Sequence, residues 1–166
     1  MKVPVTLLSF ALLIIISLAW GSSYILMKKS LVMLDPYQLA STRLLIACWC
    51  FLPIAIINFK KIDWASLKYF LIVGFCGSGI PSFCFAIAQT KINSSLTGAL
   101  SSLTPLFTLL LGLLFYNFLY SLIKIAGIFL GLLGAFMILA SKTDIHGIID
   151  PWFGLFVILA TILYAW

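Results

Sequence analysis

Five apolar runs, each close to the length of a bilayer-crossing helix and nearly free of charge, follow one another along the chain, and a sixth begins near its end. The hydrocarbon core of a bilayer, about 30 Å thick, takes roughly 20 helical residues to cross. The runs cover 5–27, 37–59, 67–89, 94–115 and 119–140, with a partial one from 152. Of 166 residues, 64% are hydrophobic and only 8% are charged, whereas a water-soluble domain carries roughly a quarter charged residues. A mean hydropathy of +1.24 says the same. The runs are continuous, not the alternating ~10-residue segments of a barrel. The expected fold class is all-α integral membrane, with the lipid bilayer as the first partner.

Several function classes lack their machinery. The net charge of +6 comes from ten Lys and Arg scattered as singles and pairs; without a basic stripe, nucleic acid is not an expected partner. Cys48, Cys50, Cys76 and Cys84 all fall inside apolar runs and His146 is the one histidine, so no metal site and no cofactor is expected. The chain has no glutamate, and Asp35, Asp63, Asp144 and Asp150 fall in loops. Proton-coupled pumps usually keep a carboxylate within the membrane. No phosphate-binding loop and no protease metal motif occurs either, so the chain is not expected to be an enzyme. Lys2 ahead of an apolar run, with Ser17-Leu18-Ala19 beyond, imitates a signal peptide. The uncharged run extends from Val3 to Met27, past a typical apolar region of 7–15 residues, and is read as an uncleaved first helix.

The connections are short. Lys28-Lys29 and Asp35-Pro36 bracket the first, with Pro36 suited to a helix start. Lys60 to Trp64 form the second, with Trp64 as an interface anchor. Lys91-Ile92-Asn93 form the third, Tyr116-Asn117 the fourth, and Lys142 to Pro151 the last. With the amino terminus inside, the inner loops carry five lysines (Lys2, Lys60, Lys61, Lys68, Lys124) and the outer loops four (Lys28, Lys29, Lys91, Lys142), so charge barely fixes orientation. Leu18-Ala19-Trp20 and Tyr164-Ala165-Trp166 end two apolar runs 146 residues apart (166 minus 20). Five spans per period would make the next copy enter from the opposite side, as inverted repeats do. A half-protein or a truncated reading frame is the expectation.

Helix faces distinguish a cavity from an anchor. Ser94, Gly98, Ser101, Pro105, Thr108 and Gly112 recur at intervals of 4, 3, 4, 3 and 4. Leu96, Leu100, Leu103, Phe107, Leu110 and Leu114 follow the same intervals two residues on, about 200° around the helix. One face is small and polar; the other is expected to meet lipid. The small face lines a cavity or packs closely on a neighbour. Pro105 predicts a kink, as do Pro81 and Pro53. Gly74, Ser78, Ser82, Phe85 and Gln89 share a face in the third run, and Ser17, Trp20 or Gly21, Tyr24 and Lys28 in the first. Trp20 and Tyr24 suit a substrate ring or ammonium group, or the membrane interface. Gly127, Gly131 and Gly134 suit close contact with a neighbouring helix or a second subunit. Arg43, about two turns inside the second run, either snorkels to headgroups or faces the cavity and attracts an anion. The candidate substrate-binding set is Trp20, Tyr24, Arg43, Ser78, Gln89, Ser94, Gly98, Ser101 and Pro105.

Three stretches together resemble the EamA family of the drug/metabolite transporter superfamily: Ala19-Trp20-Gly21-Ser22-Ser23-Tyr24-Ile25, Tyr37-Gln38-Leu39-Ala40-Ser41-Thr42-Arg43-Leu44-Leu45, and the run from Ser94 to Phe107. The resemblance covers most of residues 5–140. It implies two five-helix inverted repeats around a central cavity, cytoplasmic termini, and small metabolites, often amino acids or other solutes, moved outward by alternating access. On it, residues 5–140 form one EamA-type repeat of five transmembrane helices, 141–151 a loop, and 152–166 the start of a truncated second repeat. The expected location is a bacterial inner (plasma) membrane. Asn117 stands near where family members commonly carry a glutamate. A cavity between repeats needs a second half, from an antiparallel homodimer or a second half-transporter chain. The competing expectation is a non-transporting scaffold or assembly subunit, or an inactive fragment.

Overall fold

The computed structural model describes residues 5–61, 66–116, 121–141 and 150–166, and every regular element among them is helical. The order is α1 (Val5–Ser30), α2 (Pro36–Asn58), a 3-10 turn (Phe59–Lys61), α3 (Leu67–Gly74), a π turn (Phe75–Gly79), α4 (Ile80–Lys91), α5 (Ser94–Ser101), α6 (Thr104–Tyr116), α7 (Leu122–Ser141), a second 3-10 turn (Pro151–Phe153) and α8 (Gly154–Ala165). Four helical stretches are long and apolar enough to cross a membrane: Leu8–Ser30, Pro36–Asn58, Leu67–Lys91 and Ser94–Phe115. The first four runs read from the sequence coincide with them. The Trp64 anchor, Asn117, and the connection from 142 to 149 lie outside the described residues.

The element ends follow from local chemistry. Pro36 opens α2, where a missing N–H costs nothing, and the Asp35 N–H donates to Gln38 Oε1 at 3.4 Å. Asn93 leaves the helical region and its Oδ1 accepts the Leu96 N–H at 2.7 Å, capping α5. Each interior proline of the third and fourth runs is preceded by an irregular turn. Pro81 follows the π turn, whose widened hydrogen bond runs from the Ile80 N–H to the Phe75 carbonyl. Pro105 follows a break at Ser102-Leu103. Proline cannot donate to the carbonyl four residues back, which for Pro105 is that of Ser101. The Thr104 hydroxyl takes that carbonyl instead, at 2.7 Å.

The core lies where α8 enters between α4, α5 and α6. Met27, Leu39, Cys84, Phe85, Ala88, Ile92, Val157 and Ala160 form one buried cluster. This corrects one expectation. Leu96 and Leu100, assigned to the lipid face, pack against that cluster, and Leu100 Cδ1 lies 3.4 Å from the Cβ position of Gly154. Leu110 and Leu114, further along, are exposed as expected. Leucine suits lipid and helix packing equally, so the periodicity could not separate them. A Cβ at Gly127, Gly131 or Gly134 would meet nothing within 4 Å; among the described residues, no neighbouring helix sits against this stripe.

Candidate functional site

A cavity of about 480 Å³ opens between α1, α2, α4, α5, α6 and α8. Its wall carries Trp20, Ser23, Tyr24 and Met27 from α1, Arg43 from α2, Ser82 and Phe85 from α4, Gly98 and Ser101 from α5, Ser102, Thr104 and Pro105 around the break, and Tyr164 from α8. The Tyr24 and Phe85 rings stand 5.7 Å apart, and those of Phe85 and Tyr164 5.8 Å. These separations fall within the range of tilted aromatic contacts. Three rings from three helices thus form one apolar wall. Gly98 stands opposite, with Tyr24 Cδ2 3.8 Å from its Cβ position; a large side chain there would fill the space between ring and helix.

The polar groups divide by sign. Arg43 is the one charged residue on the wall. Among the described residues its hydrogen bond runs from Nη1 to Met27 Sδ, at 3.8 Å. A guanidinium has five N–H donors, and a thioether is a weak acceptor. Most of the donor capacity therefore stays available to an anion, and the side chain faces the cavity.

The hydroxyls behave oppositely. Those of Ser23, Ser101, Ser102 and Thr104 donate to backbone carbonyls three residues back, at 2.7, 2.8, 2.6 and 2.7 Å. Their protons are engaged, and the oxygen lone pairs remain as acceptors. The site therefore offers charged donors at Arg43 and acceptors along α5 and α6, with the Tyr24 and Tyr164 hydroxyls able to serve as either.

Of the candidates taken from the sequence, Trp20, Tyr24, Arg43, Gly98, Ser101 and Pro105 line this cavity, while Ser78, Gln89 and Ser94 do not. Ser78 is exposed on the π turn, and Ser94 is half-buried at the start of α5. Gln89 is 0% exposed, and among the described residues neither Nε2 nor Oε1 has a hydrogen-bond partner. The sequence set omitted Ser23, Met27, Ser82, Phe85, Ser102, Thr104 and Tyr164. Ser82 and Phe85 stood on the stripe already drawn and were recoverable from it. Ser102 and Thr104 reach the wall through the break before Pro105. The two recurring Ala-Trp endings were the only signal bearing on Tyr164, and they carry no statement about packing. No group of three His, Cys, Asp or Glu among the described residues can hold a metal ion.

A family model described as the EamA-like transporter family matches residues 7–140. An uncharacterized transporter of Archaeoglobus fulgidus is 30% identical over 130 residues, which is 78% of this chain and 47% of that protein. The chain thus spans about half the length of the curated relative it matches. No solved structure matches at a significant level.

Proposed function

The chain belongs to the EamA-like transporter family, and from that membership we propose that it binds and moves a small organic metabolite of amino-acid type by alternating access. It is an integral, multi-pass membrane protein of transporter type. The observation that carries the proposal is the division of polarity in the cavity. Arg43 receives a carboxylate, as a charge-assisted contact that can be bidentate. The acceptor oxygens of Ser101, Ser102 and Thr104 receive an ammonium group. The rings of Tyr24, Phe85 and Tyr164 hold the apolar body, with Trp20 at the exposed edge. In this proposal Gly98 and Pro105 shape the wall, and Ser78, Gln89 and Ser94 belong to the path on either side of it.

The transport unit we propose contains two five-helix halves, one from residues 5–140, with residues 152–166 beginning a truncated copy of the other. An antiparallel second copy of the chain or a second half-transporter chain supplies the complete second half. Its amino terminus faces the cytoplasm of a bacterial cell.

Reconstitution in liposomes, with uptake of a panel of labelled amino acids and their decarboxylated analogues, tests the reading. Losing a charge-assisted hydrogen bond costs about 1.5–3 kcal/mol, so Arg43→Ala should weaken substrate binding by roughly 10- to 150-fold while inserting normally. The decarboxylated analogues should be insensitive to the substitution. Unchanged uptake by Arg43→Ala refutes the assignment of Arg43. Absence of uptake by a fully assembled parent protein favours the scaffold.

A further inference from the structure

The cavity is not closed equally at its two ends. Trp20 is 72% exposed where it lines the cavity, and Pro105 and Thr108 on α6 are exposed as well. Toward the carboxyl-terminal ends of α1 and α4 the side chains between the helices are buried. Met27, Leu39, Phe85 and Ile92 are 4%, 6%, 4% and 0% exposed. Lys28, the residue after Met27, reaches from α1 to the last turn of α4. Its Nζ donates to the carbonyls of Gln89 and, at 2.9 Å, of Ile92. The chain leaves the helix at Ile92, and the terminal carbonyls of a helix lack intrahelical partners, so the ammonium ties two helix ends together across the mouth.

Behind this tie stands Gln89. It continues the stripe on which Ser82 and Phe85 line the cavity, one turn beyond Phe85. Its amide is fully buried and, among the described residues, unpartnered at both polar atoms. A buried polar group without a partner is unfavourable, more so in a medium without water. A leucine would fill such a site without that penalty.

We infer that Gln89 lines the translocation path in the opposite conformation, and that Lys28 is the latch holding the path shut at this end. The penalty on the buried amide opposes the two latch hydrogen bonds, which keeps the closed and open arrangements close in free energy. When the ends of α1 and α4 part, Gln89 gains water or substrate and Lys28 loses its carbonyls. The inference rests on the transporter reading, but its test measures no transport, so the two fail separately.

The experiment uses the full chain in lipid vesicles, with the four native cysteines replaced by alanine and single cysteines introduced at Gln89 or Thr161. Thr161 is also fully buried but takes no part in the latch. A membrane-impermeant maleimide is added from the Lys28 side. Gln89→Cys should label slowly with Lys28 intact and at least tenfold faster in Lys28→Met. Lys28→Arg, which keeps the charge and donors, should restore slow labelling, and Thr161→Cys should stay unreactive throughout. Equal labelling with and without Lys28 overturns the latch. Parallel acceleration at Gln89 and Thr161 overturns it too, because the helices have then simply come apart. A separate variant covers poor insertion of Lys28→Met: Gln89→Leu should raise the thermal midpoint, and a lowered midpoint overturns the role given to the amide.

Discussion

Replacing Thr104 by valine removes the hydroxyl that serves the Ser101 carbonyl at 2.7 Å and leaves the side-chain shape almost unchanged. Pro105 has no N–H to offer that carbonyl, so the group loses its partner. Leaving a buried acceptor unsatisfied costs about 1–3 kcal/mol. Ser101 and Thr104 are half-buried on a cavity wall, which puts the expected loss near the lower bound, about 1 kcal/mol. Pro105→Ala restores the missing donor. The double variant Thr104→Val with Pro105→Ala should therefore lose less than the sum of the single losses, with a coupling energy of about 0.5–1 kcal/mol. Thr97→Val is the internal control. The Thr97 hydroxyl and its own N–H both donate to the Asn93 carbonyl, at 3.0 and 3.1 Å, so that carbonyl keeps a partner when the hydroxyl goes. Thermal unfolding in detergent, followed by tryptophan fluorescence, gives the ranking. If Thr104→Val behaves like Thr97→Val, or if its cost is the same with alanine at 105, the explanation of the α5–α6 break is wrong.

Phe85→Ala removes the middle ring of the wall at a position 4% exposed. It should lower stability by up to about 3–5 kcal/mol; a shift no larger than that of Phe70→Ala, at a site 61% exposed, would contradict the packing described. Ala160, 0% exposed on α8, has no room for a larger side chain. Ala160→Leu should destabilise by about 1–3 kcal/mol in the same assay, and an unchanged midpoint would show that α8 does not seat between α4, α5 and α6. Arg43→Lys keeps the charge but not the fork, so its uptake should fall between those of the parent and Arg43→Ala.

The first four spans were legible because bilayer thickness leaves a helix little freedom: an uncharged run of about 20 residues states its own length. Pro36 and Pro105 marked a helix start and a break because proline's fixed φ and missing N–H act independently of tertiary context. The α8 side of the cavity was not legible. In water, a leucine stripe announces a buried face; in lipid, Leu96 and Leu114 look alike in the sequence although the first packs against the core and the second is exposed. Reading each helix alone also fixed a single lining face for residues 94–115. The break at Ser102-Leu103 divides that helix and brings Ser102 and Thr104 to the wall beside Ser101. Gln89 shows the opposite limit. Periodicity put it on the stripe correctly, but no periodicity says which part of a stripe is sealed.

The same hydroxyls that made the fourth span look like a ligand-binding ladder have spent their protons on their own helix. In lipid this is the cheapest arrangement, since a hydroxyl proton with no acceptor nearby has no water to turn to. The consequence is a fixed polarity that does not depend on side-chain rotation: Ser101, Ser102 and Thr104 present acceptors because the carbonyls of Gly98, Ala99 and Ser101 hold their protons. All three carbonyls lie on the α5 side of the backbone break. A tilt of α5 relative to α2 would therefore carry the Ser101 and Ser102 acceptors together relative to Arg43, altering the donor–acceptor spacing across the cavity without breaking a hydrogen bond within α5. A ligand with donors and acceptors at a set separation favours whichever angle matches it, and that differential affinity is what substrate must supply to shift the protein between states.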